Sequence, residues 1–308
     1  MIVSVSRRTD IPAFYPDWFF RRLDEKYVYV RNPMNPRQVS ELRLDRDSVD
    51  CFVFWTKNPG PMMDRLSMLD EMGYPYYFQF TLTAYGTDLE PGVADKDELI
   101  KTFCRLSRRI GQERVVWRYD PVLLGGNYTI QYHREWFEKM CRALCGYTES
   151  CVISFLDIYS RIKKNMEYQG ILPLSQEDIR LLASILGSIA SRYGIRMSTC
   201  SEEMYLEEYG MRKGKCIDDR LIESITGHQL DVKKDDTQRA SCGCVKSVDI
   251  GTYYTCAHFC RYCYANLSQR QVEENRRQHN PDSPLLIGSL RGDEKITPRV
   301  MKSVIKKT

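Results

Sequence analysis

The sequence predicts an α/β fold, a (β/α)8 barrel of the TIM type, from three observations. Strand-like runs alternate with helical patterns, eight strand candidates are present, and together they fill about the span of roughly 250 residues that such barrels need. No repeat or linker divides the chain. We therefore expect one barrel domain over residues 1–280, with a cysteine-rich region at 200–263, followed by a C-terminal tail over 281–308.

Each strand candidate is a short run rich in β-branched and aromatic residues, as buried parallel strands require. The eight runs are residues 2–6, 27–30, 51–55, 76–83, 114–118, 151–156, 195–199 and 245–250. Several intervening stretches have apolar residues at three-and-four spacing, which is typical of amphipathic helices. Helices are predicted over residues 17–26, 38–45, 61–72, 97–110, 130–144, 176–193, 218–225 and 264–278.

Composition excludes several classes of protein. The 308 residues are 43% hydrophobic and 28% charged, so the chain can form a core and is not globally disordered. Its net charge of +4 is weak for a dedicated nucleic-acid binder. No apolar run could span a membrane, and the N-terminus lacks the apolar core of a signal peptide, so we expect a cytoplasmic protein without a membrane partner.

The twelve cysteines divide by position. In a reducing cytoplasm they are not expected to form disulfides. Five lie among apolar neighbours in the first half and are predicted to be buried as small hydrophobic residues, namely Cys51, Cys104, Cys141, Cys145 and Cys151. The other seven crowd into the last third, and this clustering favours metal ligation over packing.

The sharpest motif is C-x3-C-x2-C, formed by Cys256, Cys260 and Cys263 in what we term the cysteine loop, residues 256–263. Three thiolates on one loop can bind three corners of a [4Fe–4S] cluster and leave one iron open to a small molecule. Zinc with an open position is the alternative, because thiolates also suit zinc. His258 lies inside the loop, and we expect its side chain to point outward.

A second group, the four-cysteine set, consists of Cys200, Cys216, Cys242 and Cys244. Four thiolates are enough to close an auxiliary iron–sulfur cluster or a tetrahedral zinc site. Only Gly243 separates the last two cysteines, which is less than the usual spacing in zinc sites, so inert buried thiols are the alternative.

Polar side chains follow most predicted strands, at the end where barrel active sites lie. The residues concerned are Arg7, Arg8, Asp10, Arg31, Asn32, Lys57, Asn58, Arg118, Asp120, Asp157 and Glu202. The basic members would line a mouth suited to carboxylate or phosphate, so we expect a substrate with an anionic group. Lys57, Arg118, Asp120 and Asp157 are the candidate catalytic residues, and ordinary solvated loops are the alternative for each of them.

Several segments resemble known families. The cysteine loop, with Tyr262 before its last cysteine, resembles that of the radical S-adenosylmethionine (SAM) superfamily, and CRYCYAN at 260–266 is similar to the loop of spore photoproduct lyases. The runs SVSRRTDIPAFYPDWF, WTKNP, RYDP and SVDIGTYYTC resemble, over nearly the whole chain, a family described only as domain of unknown function 1848.

The superfamily resemblance implies that Cys256, Cys260 and Cys263 ligate a [4Fe–4S] cluster whose open iron chelates SAM, with Tyr262 near the adenine. One electron would then cleave SAM to a 5′-deoxyadenosyl radical that abstracts hydrogen from a substrate. That chemistry implies an electron donor such as flavodoxin or ferredoxin.

In the superfamily this loop follows the first barrel strand, whereas here it follows the last predicted one. Since the last strand of a closed barrel neighbours the first, the resemblance implies a circular permutation. Residues 245–250 would then correspond to the first barrel strand of the superfamily, and residues 2–6 would correspond to its second. Arg7, Arg8 and Asp10 would consequently lie near the methionyl end of SAM.

Three functional hypotheses follow. The first is a radical SAM enzyme acting on an unidentified small-molecule or macromolecular substrate. The second is an iron–sulfur or zinc protein without SAM, serving electron transfer, sensing or structural support. The third is a nucleic-acid repair or modification enzyme, which the lyase-like CRYCYAN and the basic residues Arg276 and Arg277 favour.

Overall fold

A computed structural model describes residues 1–306. The strands are β1 (Ile2–Val5), β2 (Tyr27–Asn32), β3 (Asn35–Arg43), β4 (Cys51–Thr56), β5 (Tyr76–Thr81), β6 (Val115–Val122), β7 (Leu124–Gly125), β8 (Ser150–Phe155), β9 (Ile171–Leu172), β10 (Arg196–Thr199), β11 (Met211–Lys213), β12 (Val248–Asp249) and β13 (Lys295–Pro298). The α-helices are α1 (Ile11–Phe14), α2 (Pro16–Glu25), α3 (Leu66–Glu71), α4 (Lys96–Ile110), α5 (Ile130–Leu144), α6 (Lys163–Tyr168), α7 (Gln176–Arg192), α8 (Asp219–Thr226) and α9 (Gln269–Arg277). Short 3-10 helices cover Gly60–Arg65, Gln112–Arg114 and Glu207–Tyr209.

The main sheet has eight strands in the order β11-β10-β8-β6-β5-β4-β1-β12, and every neighbouring pair is parallel. The α/β class is therefore confirmed, and β12 pairs with β1 as expected of the last and first strands. A closed barrel is not shown, because the edge strands β11 and β12 do not pair with each other within residues 1–306. The chain next to these edges comes together, since the Val245 N–H donates to the Ile217 carbonyl at 3.2 Å.

One predicted strand lies outside the main sheet, and one predicted helix is wrong. Residues 27–30 belong to β2, which pairs with β3 in a separate sheet of three strands, and residues 38–45, predicted as a helix, lie largely in β3. The spacing of Val39 and Leu42 fits one face of a helix. The turn between β2 and β3, however, reverses the chain, so that these residues pair with β2 as a hairpin. Arg31 is thus removed from the expected mouth, and its guanidinium pairs with Glu294 at 2.7 Å.

The two faces of the main sheet are covered differently, because successive strand residues point to opposite sides. On one face, large aromatic side chains such as Phe54, Phe78 and Trp117 pack under α2, α4, α5 and α7. On the other face, residues such as Tyr77 and Val116 pack against the segment 216–245, which includes α8. This second covering segment carries three members of the four-cysteine set.

The C-terminal residues up to 306 also pack on the rest of the chain. β13 pairs in parallel with β3, and the Trp18 indole donates to the Ser283 carbonyl at 2.9 Å. The Val304 N–H donates to the Asp50 carboxylate at 2.9 Å. In this described part of the chain, no helix combines the length and apolarity that crossing a bilayer demands.

His133, on α5, is buried in the neutral form. Its Nε2 lies 2.7 Å from the Leu123 carbonyl, which can only accept, so Nε2 carries the proton. Nδ1 is then free to accept from the Tyr119 hydroxyl at 2.8 Å. Burial lowers the pKa of His133 from 6.5 to about 4, although the Leu123 hydrogen bond opposes this.

We therefore expect His133 to make the fold acid-sensitive. The unfolded chain binds a proton near pH 6.5 and the folded chain only near pH 4, so up to about 3 kcal/mol of stability is lost as pH falls through that window. His133→Gln should flatten this pH dependence in urea unfolding, whereas the exposed His228→Gln should not. An unchanged slope in His133→Gln would contradict the lowered pKa of the buried His133 ring.

Candidate functional site

The cysteine loop lies beyond the carboxyl end of β12, and Asn266 holds it in shape. The Asn266 Oδ1 accepts the N–H groups of Thr255 and Cys256 at 2.9 and 3.0 Å. Its Nδ2 donates to the Arg8 carbonyl at 3.3 Å and lies 3.6 Å from the Cys263 sulfur. One amide therefore joins both ends of the loop to the chain that follows β1. CRYCYAN contains this asparagine, but sequence reasoning gave it no role.

The three thiols of the loop lie near enough to influence one another. Burial raises the pKa of Cys256, and negative charge on Asp10, Cys260 and Cys263 raises it further. Burial also raises the pKa of Cys260 to about 12, against the opposing charge of Lys57. Within residues 1–306, however, no three His, Cys, Asp or Glu side chains already converge on a single metal-ion position.

The loop that follows β5 packs directly on the cysteine loop. The Gly92 N–H donates to the His258 carbonyl at 3.0 Å, and the Arg261 N–H donates to the Leu89 carbonyl at 2.9 Å. A Cβ on Gly92 would stand 2.1 Å from the Ala257 carbonyl oxygen, which no side chain tolerates. Glycine at this position thus permits the close approach of the two backbones.

The prediction that His258 points outward is wrong. Its ring is buried, with Nε2 2.8 Å from the Asp10 carboxylate and Nδ1 3.2 Å from the Gly92 carbonyl. Asp10 also accepts the N–H groups of Ala13 at 3.0 Å and Lys57 at 2.7 Å. Asp10 therefore fastens the cysteine loop to the ends of β1 and β4, and its carboxylate is fully engaged by protein donors.

A fully buried carboxylate, Glu90, organises the next part of the site and was missed in the sequence. It accepts hydrogen bonds from Lys57 at 2.7 Å, Thr83 at 2.7 Å, Lys96 at 2.5 Å and the Tyr262 hydroxyl. Burial alone would raise the pKa of Glu90, but the two ammonium charges lower it to about 2. An ionised Glu90 thus fixes Lys57 beside Tyr262, whose ring centre is 5.8 Å from the Lys57 Nζ.

Two guanidinium groups lie against the Trp55 ring, Arg7 at 5.6 Å and Arg118 at 5.0 Å from its centre. The Arg7 Nε and the Trp55 Nε1 are buried and have no hydrogen-bond partner in the part of the chain described. Buried unpaired donors are costly, so this pair is available to an oxygen of a bound ligand. Arg8 is held differently, 3.3 Å from the Gly251 carbonyl and 4.0 Å from the Asp249 carboxylate.

The candidate catalytic residues separate into different surroundings. Arg118 is buried and donates to the Asp120 carboxylate and to the Cys216 sulfur, the latter at 2.9 Å. Asp157, which follows β8, is exposed and pairs with Arg239 at 2.5 Å. The structure thus joins Arg118 to Asp120, whereas Asp157 lies outside their hydrogen-bond network.

Glu202 follows β10, and the pKa of its carboxyl group is raised to about 7. Burial is the main cause, and the charges of Asp157 and Asp120 add to it, whereas the Phe155 N–H, 2.8 Å away, opposes the shift. A carboxyl group with this pKa can exchange a proton at neutral pH. The sequence indicated Glu202 only as a polar residue after a strand.

The structure brings the four-cysteine set together. The Cys200 and Cys216 sulfurs are 3.2 Å apart, and Cys216, Cys242 and Cys244 belong to one buried cluster against which Cys200 packs. The N–H groups of Cys216 and Ile217 also point at the Cys244 sulfur, at 3.3 and 3.4 Å. Four cysteines that are up to 44 residues apart therefore lie in one apolar cluster.

The five cysteines of the first half behave nearly as predicted. Four are buried, namely Cys51, Cys104, Cys141 and Cys151. Cys145 is exposed, so the prediction of burial is wrong there. It ends α5 as the C-cap residue, where the chain leaves the helix at the surface.

Comparison with known proteins identifies a family. No curated protein matches the chain. A family described as "Domain of unknown function (DUF1848)" matches residues 2–265. That span contains the whole main sheet, the cysteine loop and the four-cysteine set. The chain therefore belongs to the DUF1848 family.

Proposed function

We propose that this protein is an iron–sulfur enzyme of radical SAM type, which reductively cleaves SAM and abstracts hydrogen from a substrate with an anionic group. The observation that carries the proposal is the anchored C-x3-C-x2-C loop. Its three cysteines stand on one loop beyond the end of a parallel strand, held by Asn266, Gly92 and Asp10. Its similarity to the loop of spore photoproduct lyases at residues 260–266 supports the same function.

The donor set of the cysteine loop suits a [4Fe–4S] cluster with one open iron. In a cubane each cysteine binds a different iron, so the thiols of Cys256, Cys260 and Cys263 need only surround the cluster. Once bound, the cluster and SAM would supply the one-electron chemistry, with flavodoxin or ferredoxin as the proposed electron donor.

The chain's own residues would bind and orient the reactants. The unpaired donors on Arg7 and Trp55 suit the carboxylate of SAM or of the substrate, because guanidinium and indole N–H groups donate to carboxylate oxygens. Lys57 adds a positive charge whose position Glu90 fixes. Arg118 and Asp120 lie nearby around the same tryptophan and would orient the substrate.

We also propose that the main sheet corresponds to a circularly permuted (β/α)8 barrel, opened between β11 and β12. Support comes from the strand order, which follows the chain from β1 through β4, β5, β6, β8 and β10 to β11, with β12 paired beside β1. In this correspondence β12 takes the first position. The cysteine loop then follows the strand that the superfamily pattern requires.

The nucleic-acid hypothesis gains no comparable support. It drew on the lyase-like CRYCYAN and on the basic residues Arg276 and Arg277. The Arg276 guanidinium, however, lies over the Phe14 ring, 4.8 Å from its centre. That arginine therefore contributes to packing. We retain the non-SAM iron–sulfur or zinc protein as the competing hypothesis, because it shares the same cysteines.

The test is anaerobic reconstitution of the full chain with iron and sulfide, followed by reduction. Electron paramagnetic resonance with and without SAM should give different cluster spectra, since SAM would bind the open iron. Chromatography should then detect 5′-deoxyadenosine. A fully loaded cluster whose spectrum ignores SAM and that yields no product would refute the proposal in favour of the non-SAM protein.

Asn266→Ala should weaken the cysteine loop without removing a thiol. We expect iron retention and 5′-deoxyadenosine release to fall roughly 10- to 100-fold, as for other residues that orient metal ligands. Asn165→Ala is the matched control, because Asn165 donates only one bond to the loop, to the Arg261 carbonyl at 3.4 Å. Equal iron content in both variants would show that the Asn266 bonds do not position the cysteines.

A further inference from the structure

The four-cysteine set takes no part in the proposed function. We propose that Cys200, Cys216, Cys242 and Cys244 bind one tetrahedrally coordinated divalent metal ion, with zinc as the preferred occupant, and that this ion joins the two open edges of the main sheet. The inference is independent of SAM chemistry at the cysteine loop.

The position of each cysteine in the fold leads to this inference. Cys200 follows β10 directly, and Cys216 follows β11 after two residues. Cys242 and Cys244 precede β12, which is the opposite edge strand. A shared ion would therefore connect one edge of the sheet to the other where backbone pairing is missing.

The distances favour a single ion over a cubane. With Zn–S bonds of about 2.3 Å, the sulfurs of a tetrahedral site lie roughly 3.8 Å apart. The Cys200 and Cys216 sulfurs are 3.2 Å apart, and the Cys244 sulfur lies 3.3 Å from the backbone nitrogen of Cys216. In a cubane each sulfur binds a different iron and is much further from the next.

The thiols do not yet surround a common point, so binding requires their rearrangement. From the separation of Cys200 and Cys216, the two sulfurs need to part by roughly half an ångström to reach a tetrahedral edge. Rotation about the Cα–Cβ bonds can supply a movement of this size. The backbone already carries the four residues to one place.

The surroundings of the sulfurs suit thiolate ligands. The N–H groups of Cys216 and Ile217 point at the Cys244 sulfur at 3.3 and 3.4 Å, and Arg118 donates to the Cys216 sulfur at 2.9 Å. Donors of this kind orient metal ligands and offset the negative charge that four thiolates leave on a divalent ion. Arg118 thereby links this site to Asp120.

The experiment uses a full-length triple variant, Cys256→Ala, Cys260→Ala and Cys263→Ala, which removes the three thiols of the cysteine loop and keeps the four-cysteine set. Elemental analysis should find about one zinc per chain. Replacement by cobalt should give the intense sulfur-to-metal absorption of a tetrahedral thiolate site. Adding Cys242→Ser and Cys244→Ser should remove the metal, whereas adding Cys141→Ser should not.

Cadmium NMR of the folded triple variant provides a measurement that does not depend on the serine variants folding. A resonance in the four-thiolate range supports the proposal. A folded triple variant without metal, a disulfide between Cys200 and Cys216 under anaerobic conditions, or an iron–sulfide absorption spectrum would each overturn it. Because the cysteine loop is absent from this variant, these results do not bear on the proposed radical SAM activity.

Discussion

Cys260→Ala is expected to abolish SAM cleavage, with a loss of 5′-deoxyadenosine on the order of 1,000-fold or more, because the three thiolates act as one unit. A cubane left with two ligands from the cysteine loop would be held loosely and lost during reconstitution. Cys260 is the most deeply buried of the three, so solvent ligands cannot easily replace its sulfur. The measurements are iron and sulfide content and product formation under reducing conditions.

Cys145→Ala is the matched control for this variant. Cys145 is exposed at the end of α5, where its thiol lies 3.6 Å from the Tyr193 carbonyl. Its replacement should leave iron content and product formation as in the unmodified protein. A Cys260→Ala protein that still cleaves SAM would remove the cysteine loop from the proposed chemistry.

Glu90→Gln is expected to cause the largest loss of stability, about 3–5 kcal/mol, because it leaves two buried ammonium groups without a counter-charge. Lys57 and Lys96 lie 2.7 and 2.5 Å from the carboxylate and have side chains only 11% and 13% exposed. A glutamine can accept their hydrogen bonds but cannot neutralise them. Unfolding in urea would give the change in free energy, and thermal scans should show a midpoint lower by roughly 6–15 °C.

Two further variants make this prediction specific. Glu98 is a nearby carboxylate that pairs with Lys101 at the surface, and 66% of its side chain is exposed. Glu98→Gln should therefore lower the free energy of unfolding by less than about 1 kcal/mol. Combining Glu90→Gln with Lys96→Met should cost less than Glu90→Gln alone, because one uncompensated charge is removed. A stability of Glu90→Gln within about 1 kcal/mol of the unmodified protein would contradict the account.

The main sheet was largely predictable because strands buried in a parallel sheet are continuous apolar runs. Residues 27–30 have the same composition, yet they form a hairpin whose pairing depends on the turn that follows. β11 has only three residues, two of them exposed and charged, so it offered no pattern to detect. Closure of the sheet depends on such short edges, and local sequence carries little information about it.

The part of the candidate site whose residues are adjacent in sequence could be predicted, whereas the contacts between residues far apart in sequence could not. The cysteine loop is a continuous motif. By contrast, Asp10 and His258 are separated by 248 residues, and Glu90 and Tyr262 by 172. Glu90 stands between Leu89 and Pro91 in a stretch that resembles a surface loop. Glu90 is buried because Lys57, Lys96 and Tyr262 donate hydrogen bonds to its carboxylate, and the fold brings Lys57 and Tyr262 to it from distant parts of the chain.

The packing of Gly92, Asp10 and Asn266 around the cysteine loop has a consequence for how the protein is made. During synthesis, the residues that receive this loop emerge from the ribosome long before its cysteines, since Gly92 precedes His258 by 166 residues. Asn266 is the last of the anchors to appear. Insertion of the proposed cluster would therefore have to wait until most of the chain, including all three cysteines of the loop, has been synthesised.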